Sequence, residues 1–253
     1  MKVIAYTALH YGAEYLAWAM RSVQSNVDEF HILYTTDPSH GHTSDLRCPE
    51  TEEDLIREAH RFITKPIFWH RGKWSNESDH RSTILPIAKE RGADLILWLD
   101  YDEVWDPETL KASLAEAATR PEHEIRVKFL HFWKSFGHVC SDPCMPVRII
   151  NPNGVGTFYI HNKIPVLHFG YALKAATVFY KQSIHGHKGE WKPNWFRDTY
   201  LGWKPGQEDT HPTCGRNERG EAFWIPRPTP PEIQNVLADQ MSDHPYFSLD
   251  QID

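Results

Sequence analysis

The sequence predicts an α/β fold in which a mostly parallel central sheet is flanked by helices, followed by a loop-rich aromatic half. Three observations carry this. Short apolar runs alternate with amphipathic stretches from Val3 to Trp105, and such alternation implies right-handed crossovers between parallel strands. The run Leu95 to Leu99, Leu-Ile-Leu-Trp-Leu, is unbroken, as expected of a central strand covered on both faces. From His161 to Trp224 the composition changes, and Trp, His, Pro and Gly crowd together, which suits loops that hold substrates.

Each element follows from its own pattern. Val3 to Leu9 is short and apolar and reads as the first strand, followed by His10-Tyr11-Gly12 and a helix in which Leu16, Met20 and Val23 recur at helical spacing. Phe30 to Thr35 is the second strand and runs into the turn-rich stretch 36–41. Glu52 to Phe62 reads as a helix and Ile67 to His70 as a third strand. Arg81 to Arg91, apolar at Ile84, Leu85, Ile87 and Ala88, reads as a helix stopped at Gly92. After the Leu95 strand, Asp106 caps a helix that starts at Pro107 and continues through Glu108 to Thr119. Ile125 to Phe132 is expected to be one strand, and Val147 to Ile150 with Thr157 to Ile160 a hairpin around Asn151-Pro152-Asn153-Gly154. Pro226 to Pro231 reads as a rigid linker and Glu232 to Met241 as a closing helix.

A chain of 253 residues buries a substantial core, and a single domain is expected. The formal net charge of -7 argues against broad nonspecific affinity for nucleic acid or anionic membrane. No run is long enough to span a bilayer and Met1 to Thr7 lacks the apolar core of a signal peptide, so a cytoplasmic location is expected. Cys48, Cys140, Cys144 and Cys214 form no dense disulfide framework. Free buried thiols are the expectation; the alternative is a zinc site from Cys140, Cys144, His211 and Cys214, at the looser end of zinc spacings.

The chemically informative residues are the acids that end the central strand. Asp100 and Asp102 are two residues apart, so continued strand geometry places both carboxylates on one face, Cα atoms about 6 to 7 Å apart, where they could grip one cation. Close carboxylates raise one another's pKa and need a compensating charge, which a divalent metal supplies. The carboxyl ends of strands are also where open α/β sheets bind ligands. A solvated strand-to-helix turn is the plainer alternative, but it explains Asp106 and not the acids before it.

With this order of elements, Asp100-Tyr101-Asp102-Glu103 resembles the Asp-X-Asp-Glu motif of GT-A fold glycosyltransferases of the broad family 2 type. The resemblance covers 1–110 in clear order as a nucleotide-sugar-binding half. It is weaker over about another 80 residues of 111–225, the acceptor-side half, and 226–253 is a C-terminal linker and helix. It implies that Thr7, Ala8 and Leu9, Asp37 of the second-strand loop, Arg81, and Asp100, Tyr101 and Asp102 bind the donor. Asp100 and Asp102 would hold Mn2+ or Mg2+ on its diphosphate, and the cation would neutralise the charge left when the sugar C–O bond breaks. The segment His168-Phe169-Gly170-Tyr171 resembles the His-X-Gly-Tyr stretch of some relatives, which adds His168 to the metal set; the alternative is a packed strand histidine. Lys174, Lys181, His185 and His187 form a basic cluster that could contact phosphate.

The implied partners are a nucleotide-sugar donor and an acceptor hydroxyl on a soluble sugar, a glycan or a modified nucleic-acid base. The chain departs from the family where relatives carry a His-Glu pair at the acceptor side, because His161-Asn162 stands there and an amide takes no proton from a hydroxyl. Candidate bases are therefore Asp198, Glu190, Glu208 and Asp209. Asp198 ranks first because Trp195, Phe196 and Tyr200 would desolvate it and raise its pKa, while Arg197 would hold it ionised. Two other classes compete. One is a magnesium phosphohydrolase with Asp100 as nucleophile. The other is a noncatalytic module whose Trp191, Trp195, Trp203 and Trp224 stack on sugars or bases.

Overall fold

The computed structural model describes residues 1–39, 44–142, 144–186, 188–213 and 224–247. Its first half is built from β1 (Val3–Leu9), α1 (Leu16–Val23), β2 (Glu29–Tyr34), α2 (Glu52–Ala59), β3 (Ile67–Arg71), α3 (Glu77–Ser82), α4 (Ile84–Arg91) and β4 (Leu95–Trp98). The strands of this half are mutually parallel, in the order β3-β2-β1-β4. Side chains alternate across β1: Val3 and Ala5 pack with α1 and α2, whereas Ile4 and Tyr6 pack with Ile84 and Ala88 of α4 on the opposite face. This is the mostly parallel sheet flanked by helices that the sequence predicts.

Local signals set the helix ends. Thr51 and Asp54 form a reciprocal capping box at the start of α2, and Gly92 ends α4 in the left-handed conformation. The helix expected over Arg81 to Arg91 begins earlier, where the Asn76 side chain accepts from Asp79 N–H, and it is divided at Thr83. Asp106 caps α5 (Pro107–Ala118), accepting from Thr109 N–H, with Pro107 in its first turn.

The second half is more rearranged. It comprises β5 (Glu103–Val104), α5, β6 (His123–Val127), β7 (Phe129–Trp133), β8 (His138–Ser141), β9 (Val147–Ile150), β10 (Gly156–Ile160), β11 (Val166–Tyr171), α6 (Ala175–Ile184), β12 (Arg227–Pro228) and α7 (Pro231–Met241). The single strand expected over Ile125 to Phe132 is two strands. It crosses from the seven-stranded sheet to a second, five-stranded sheet at Lys128, whose N–H is taken by Asn162 Oδ1 at 2.9 Å. The expected hairpin does not form either, because β6 lies between its two arms, antiparallel to β9 and parallel to β10.

The aromatics of the second half are core. Trp191, Trp195, Tyr200, Trp203 and Trp224 are buried and pack with Trp133, Phe169 and Tyr171 around the order β12-β8-β7-β11-β5. The expected linker is docked, since Arg227–Pro228 pairs with β8 and Thr229 Oγ1 donates to Phe136 O at 2.6 Å. Among the described residues no helix is long and apolar enough to cross a membrane.

Candidate functional site

Going from β1 the chain builds outward through β2 and β3, then returns to place β4 on the other side of β1. The adjacent strands β1 and β4 therefore send their connections in opposite directions, and the crevice outside their carboxyl ends is where such sheets bind ligands. A cavity of about 310 Å³ lies there. Ala8, His10 and Tyr11 line it from the end of β1, Asp100, Tyr101 and Asp102 from the end of β4, and Ser39, Glu77, His80 and Arg81 from the β2 and α3 side. His168, Lys181, Ile184, His185 and Gly186 close it from β11 and α6.

The two aspartates do not stand on a continued strand, although both line the cavity. Strand geometry stops at Trp98, and residues 100–103 form a turn closed by Glu103 N–H donating to Asp100 O at 3.1 Å. Asp100 Oδ1 accepts from Trp98 Nε1 at 2.8 Å and Oδ2 from Arg148 Nη2 at 2.9 Å. Burial pushes the Asp100 carboxyl up, but the Arg81 and Arg148 guanidiniums and the Trp98 N–H outweigh it and hold it below the ordinary carboxylate value. Arg148 also donates from Nε to both Glu103 oxygens at 2.9 Å. Glu103 is fully buried, so this acid is structural: it compensates a buried guanidinium that also fixes Asp100.

Asp102 has other neighbours. It is 2% exposed, its Oδ1 stands 3.6 Å from His168 Nε2, and its Oδ2 stands 3.8 Å from Lys181 Nζ. Neither separation is a hydrogen bond. Burial raises its pKa above the ordinary value, with Asp100 adding to the rise and Lys181 opposing it. Gly170 keeps this space open: a Cβ there would lie 2.4 Å from His168 Cε1, 2.7 Å from Lys181 Nζ and 3.0 Å from Asp102 Oδ2. His168 is held well below the ordinary histidine value by burial, with His131, Lys181 and Arg148 acting in the same direction, so it is neutral.

A buried, undercompensated carboxylate and a neutral imidazole 3.6 Å apart suit Mn2+ as a pair of ligands, whereas Mg2+, which takes oxygen ligands, fits the carboxylate alone. Among the described residues no group of three or more His, Cys, Asp or Glu side chains converges to hold a metal ion, so Asp102 and His168 would hold it only together with other ligands. Asp100 lines the same cavity and is engaged by Arg148 and Trp98.

Of the other expected donor residues, Ala8, Arg81 and Tyr101 line the cavity. Thr7 and Leu9 are buried in the fold, because strand alternation aims them away from the side Ala8 faces. Asp37 is exposed and paired with Lys73 at 2.8 Å. Arg81 lies over the Trp98 ring at 3.6 Å and pairs with Glu77, while its Nε and Nη1 are buried without a hydrogen-bond partner.

None of the four candidate bases lines the cavity. Asp198 is on a π-helical turn, Phe196–Leu201, whose inward side is Tyr200. Its carboxylate is exposed and bonded to Arg197 at 2.6 Å, which lowers its pKa instead of raising it. The expected desolvation fails because the neighbouring aromatics face the core. Glu190 and Glu208 are exposed, and Asp209 pairs with Lys192 at 2.7 Å. Of the thiols, Cys140 is buried, Cys48 half-buried and Cys144 exposed; Cys214 of the zinc alternative, and His187 of the basic cluster, lie outside the described residues.

Arg148, Lys181, His10, Ser39 and His80 belong to the site or its support. Arg148 had a signal in the sequence: an arginine inside Val147-Arg148-Ile149-Ile150 must bury its charge with a partner.

No family profile and no curated protein matches this chain. Among solved structures it is similar to 4-diphosphocytidyl-2C-methyl-D-erythritol synthase, at 14% identity over 60% of this chain and 75% of that one, with a TM-score of 0.35. It is also similar to HddC from Yersinia pseudotuberculosis, at 8% identity over 60% and 75% of the two chains, with a TM-score of 0.34. Likeness at these values adds nothing to the chemistry of the site.

Proposed function

We propose that this chain is a metal-dependent glycosyltransferase that moves a sugar from a nucleotide-sugar donor to an acceptor hydroxyl. The observation that carries the reading is the buried Asp102 at the switch of strand order, facing His168 and Lys181 across a gap that only a glycine at 170 leaves open. Asp102 and His168 would hold Mn2+, whereas Mg2+ would take Asp102 alone. When bound, that cation supplies Lewis-acid neutralisation of the diphosphate leaving group.

The protein's own groups have separate tasks. Lys181 brings a positive charge beside Asp102, where a departing diphosphate needs one. Arg81 lines the cavity, stacked on Trp98 and 3.7 Å from Asp100, and its guanidinium would receive an anionic or carbonyl oxygen of the donor. Arg148 locks Asp100 in place so that the turn bearing Asp102 does not shift. A soluble sugar, a glycan or a hydroxylated nucleic-acid base would each present the required hydroxyl to the cavity.

Two observations favour this reading over its competitors. Both oxygens of Asp100 are engaged by donors, which weakens the case for a phosphohydrolase nucleophile. The tryptophans that a stacking module would use are core.

The test is a thermal-shift screen of nucleoside diphosphates and nucleotide sugars with and without Mn2+. A ligand at 100 times its dissociation constant adds about 2.7 kcal/mol of stability, and Asp102→Asn should fold normally and lose the Mn2+-dependent part. The reading fails if no nucleotide stabilises the wild type in a Mn2+-dependent way, or if Asp102→Asn responds as the wild type does.

A further inference from the structure

His168 is one end of a chain of polar contacts that leaves the cavity and passes through the second sheet. His131, beside it on β7 in direct register, faces it Nδ1 to Nδ1 at 3.0 Å. His131 Nε2 in turn lies 3.2 Å from Asp142 Oδ2. Asp142 also accepts from Cys144 N–H at 2.7 Å on Oδ1 and from Trp224 Nε1 at 3.3 Å on Oδ2. None of these residues beyond His168 touches the cavity.

We propose that Asp142 and His131 are positioning residues that fix the tautomer of His168 and thereby aim its Nε2 lone pair at the cation; the inference rests on the metal reading of the site above. A carboxylate only accepts, so the His131 proton sits on Nε2, facing Asp142. His131 Nδ1 is then an acceptor and draws the proton of His168 onto His168 Nδ1. His168 Nε2 is left as a lone pair facing Asp102 Oδ1. Two acceptors 3.6 Å apart with no proton between them repel unless a cation lies between.

The opposite arrangement, a charged His131 donating to His168 Nδ1, puts a proton on His168 Nε2. That proton points at Asp102 over 3.6 Å, too far for a hydrogen bond, and leaves a buried donor and a buried carboxylate unpaired. The Gly170 N–H that approaches His168 Nδ1 at 3.4 Å favours this second arrangement, but at the outer limit of a hydrogen bond it is weaker than the 3.0 Å contact with His131.

Asp142→Asn tests this with almost no change of shape. The Cys144 N–H at 2.7 Å outweighs the longer Trp224 N–H contact at 3.3 Å and keeps the carbonyl oxygen of the asparagine on its side, so the NH2 group faces His131 Nε2 and donates to it. The whole chain inverts, and His168 Nε2 becomes protonated. Long-range proton–nitrogen NMR of labelled histidine should show His168 as the Nδ1–H tautomer in the wild-type protein and Nε2–H in Asp142→Asn. Mn2+ affinity, read by electron paramagnetic resonance in the presence of a nucleoside diphosphate, should fall about 10- to 100-fold, the usual effect of losing such a supporting partner. Asp142→Glu should restore most of it.

A wild-type Nε2–H tautomer, or an Asp142→Asn variant that binds Mn2+ as tightly as wild type, overturns the proposal and leaves the metal reading standing. Absence of Mn2+ binding in the wild type overturns the metal reading and the proposal with it. If Asp142→Asn proves unfolded by circular dichroism, His131→Gln carries the same measurements.

Discussion

At the scale of single residues, the four acids that follow β4 are sorted by their neighbours. Glu103 and Asp100 are tied to Arg148, Asp102 faces the cavity, and Asp106 caps a helix. Arg148 is the residue on which this sorting depends, since it donates to both Glu103 and Asp100 while itself 6% exposed. Removing one partner of a buried ion pair strands the other charge and costs about 3–5 kcal/mol, whereas replacing both with apolar groups is often neutral. Arg148→Met should therefore lower the urea unfolding free energy by about that amount, and Arg148→Met with Glu103→Leu should recover much of the loss. If the double variant is no more stable than the single one, the arginine is held by its contacts with Trp98 and Phe129 and not by Glu103.

At the scale of elements, the site depends on where helices stop and strands start. Gly92 ends α4 with φ of 65°, its N–H donating to Ala88 and Lys89 carbonyls, and the chain enters β4 three residues later. Nothing lies near a Cβ at this position, so the cost of a side chain there is purely one of backbone conformation. Gly92→Ala should destabilise by about 1 kcal/mol, and Gly92→Asn by less, since asparagine tolerates the left-handed region. Equal stability of Gly92→Ala and wild type in chemical denaturation would show that the turn relaxes. The crossing at Lys128 is a second such point: Asn162, which the sequence offers only as a failed catalytic base, instead takes the Lys128 N–H and donates to Ile164 O at 2.7 Å.

At the scale of the whole molecule, the C-terminal segment is fastened to α1 and the residues before it through His244. Its ring stacks on Tyr15 at 4.6 Å and meets Trp18 at 4.2 Å, its Nε2–H donates to Glu14 O, and its Nδ1 accepts from Tyr246 N–H. Burial lowers its pKa to about 4, against the opposing pull of Glu14 O and Asp243 and with the help of Arg61 and Arg21. A histidine held neutral in the fold takes up its proton only on unfolding, near pH 6.5. Its stabilisation is therefore complete above about pH 6.5 and is lost as pH falls toward 4, by up to about 3 kcal/mol. His31, His70, His138 and His211 are lowered in the same direction by burial, so the whole protein should weaken over this window. His244→Gln should flatten that loss in part when unfolding is measured at pH 7 and pH 4.5; an unchanged difference between the two pH values would remove His244 from the account.

Local chemistry determined what could be read from the chain alone. The short apolar run of Val3 to Leu9, the unbroken Leu95 to Leu99, Gly92 as a stop and Asp106-Pro107 as a start each rest on neighbours within a few residues, and all stand in the fold. The location of the cavity at the end of β4 follows from strand order, which alternating elements imply. Pairing partners were decided elsewhere: β6 separates β9 from β10 because contacts distant in sequence, not the turn at Asn151 to Gly154, fix its register. The direction in which Asp100 and Asp102 point was also a tertiary matter, set by Arg148 from β9 and His168 from β11. Asp198 shows the same limit, since three aromatic neighbours in sequence say nothing about which side of a turn a carboxylate takes. Burial and charge pairing act through space, so they sort residues that sequence spacing leaves equivalent.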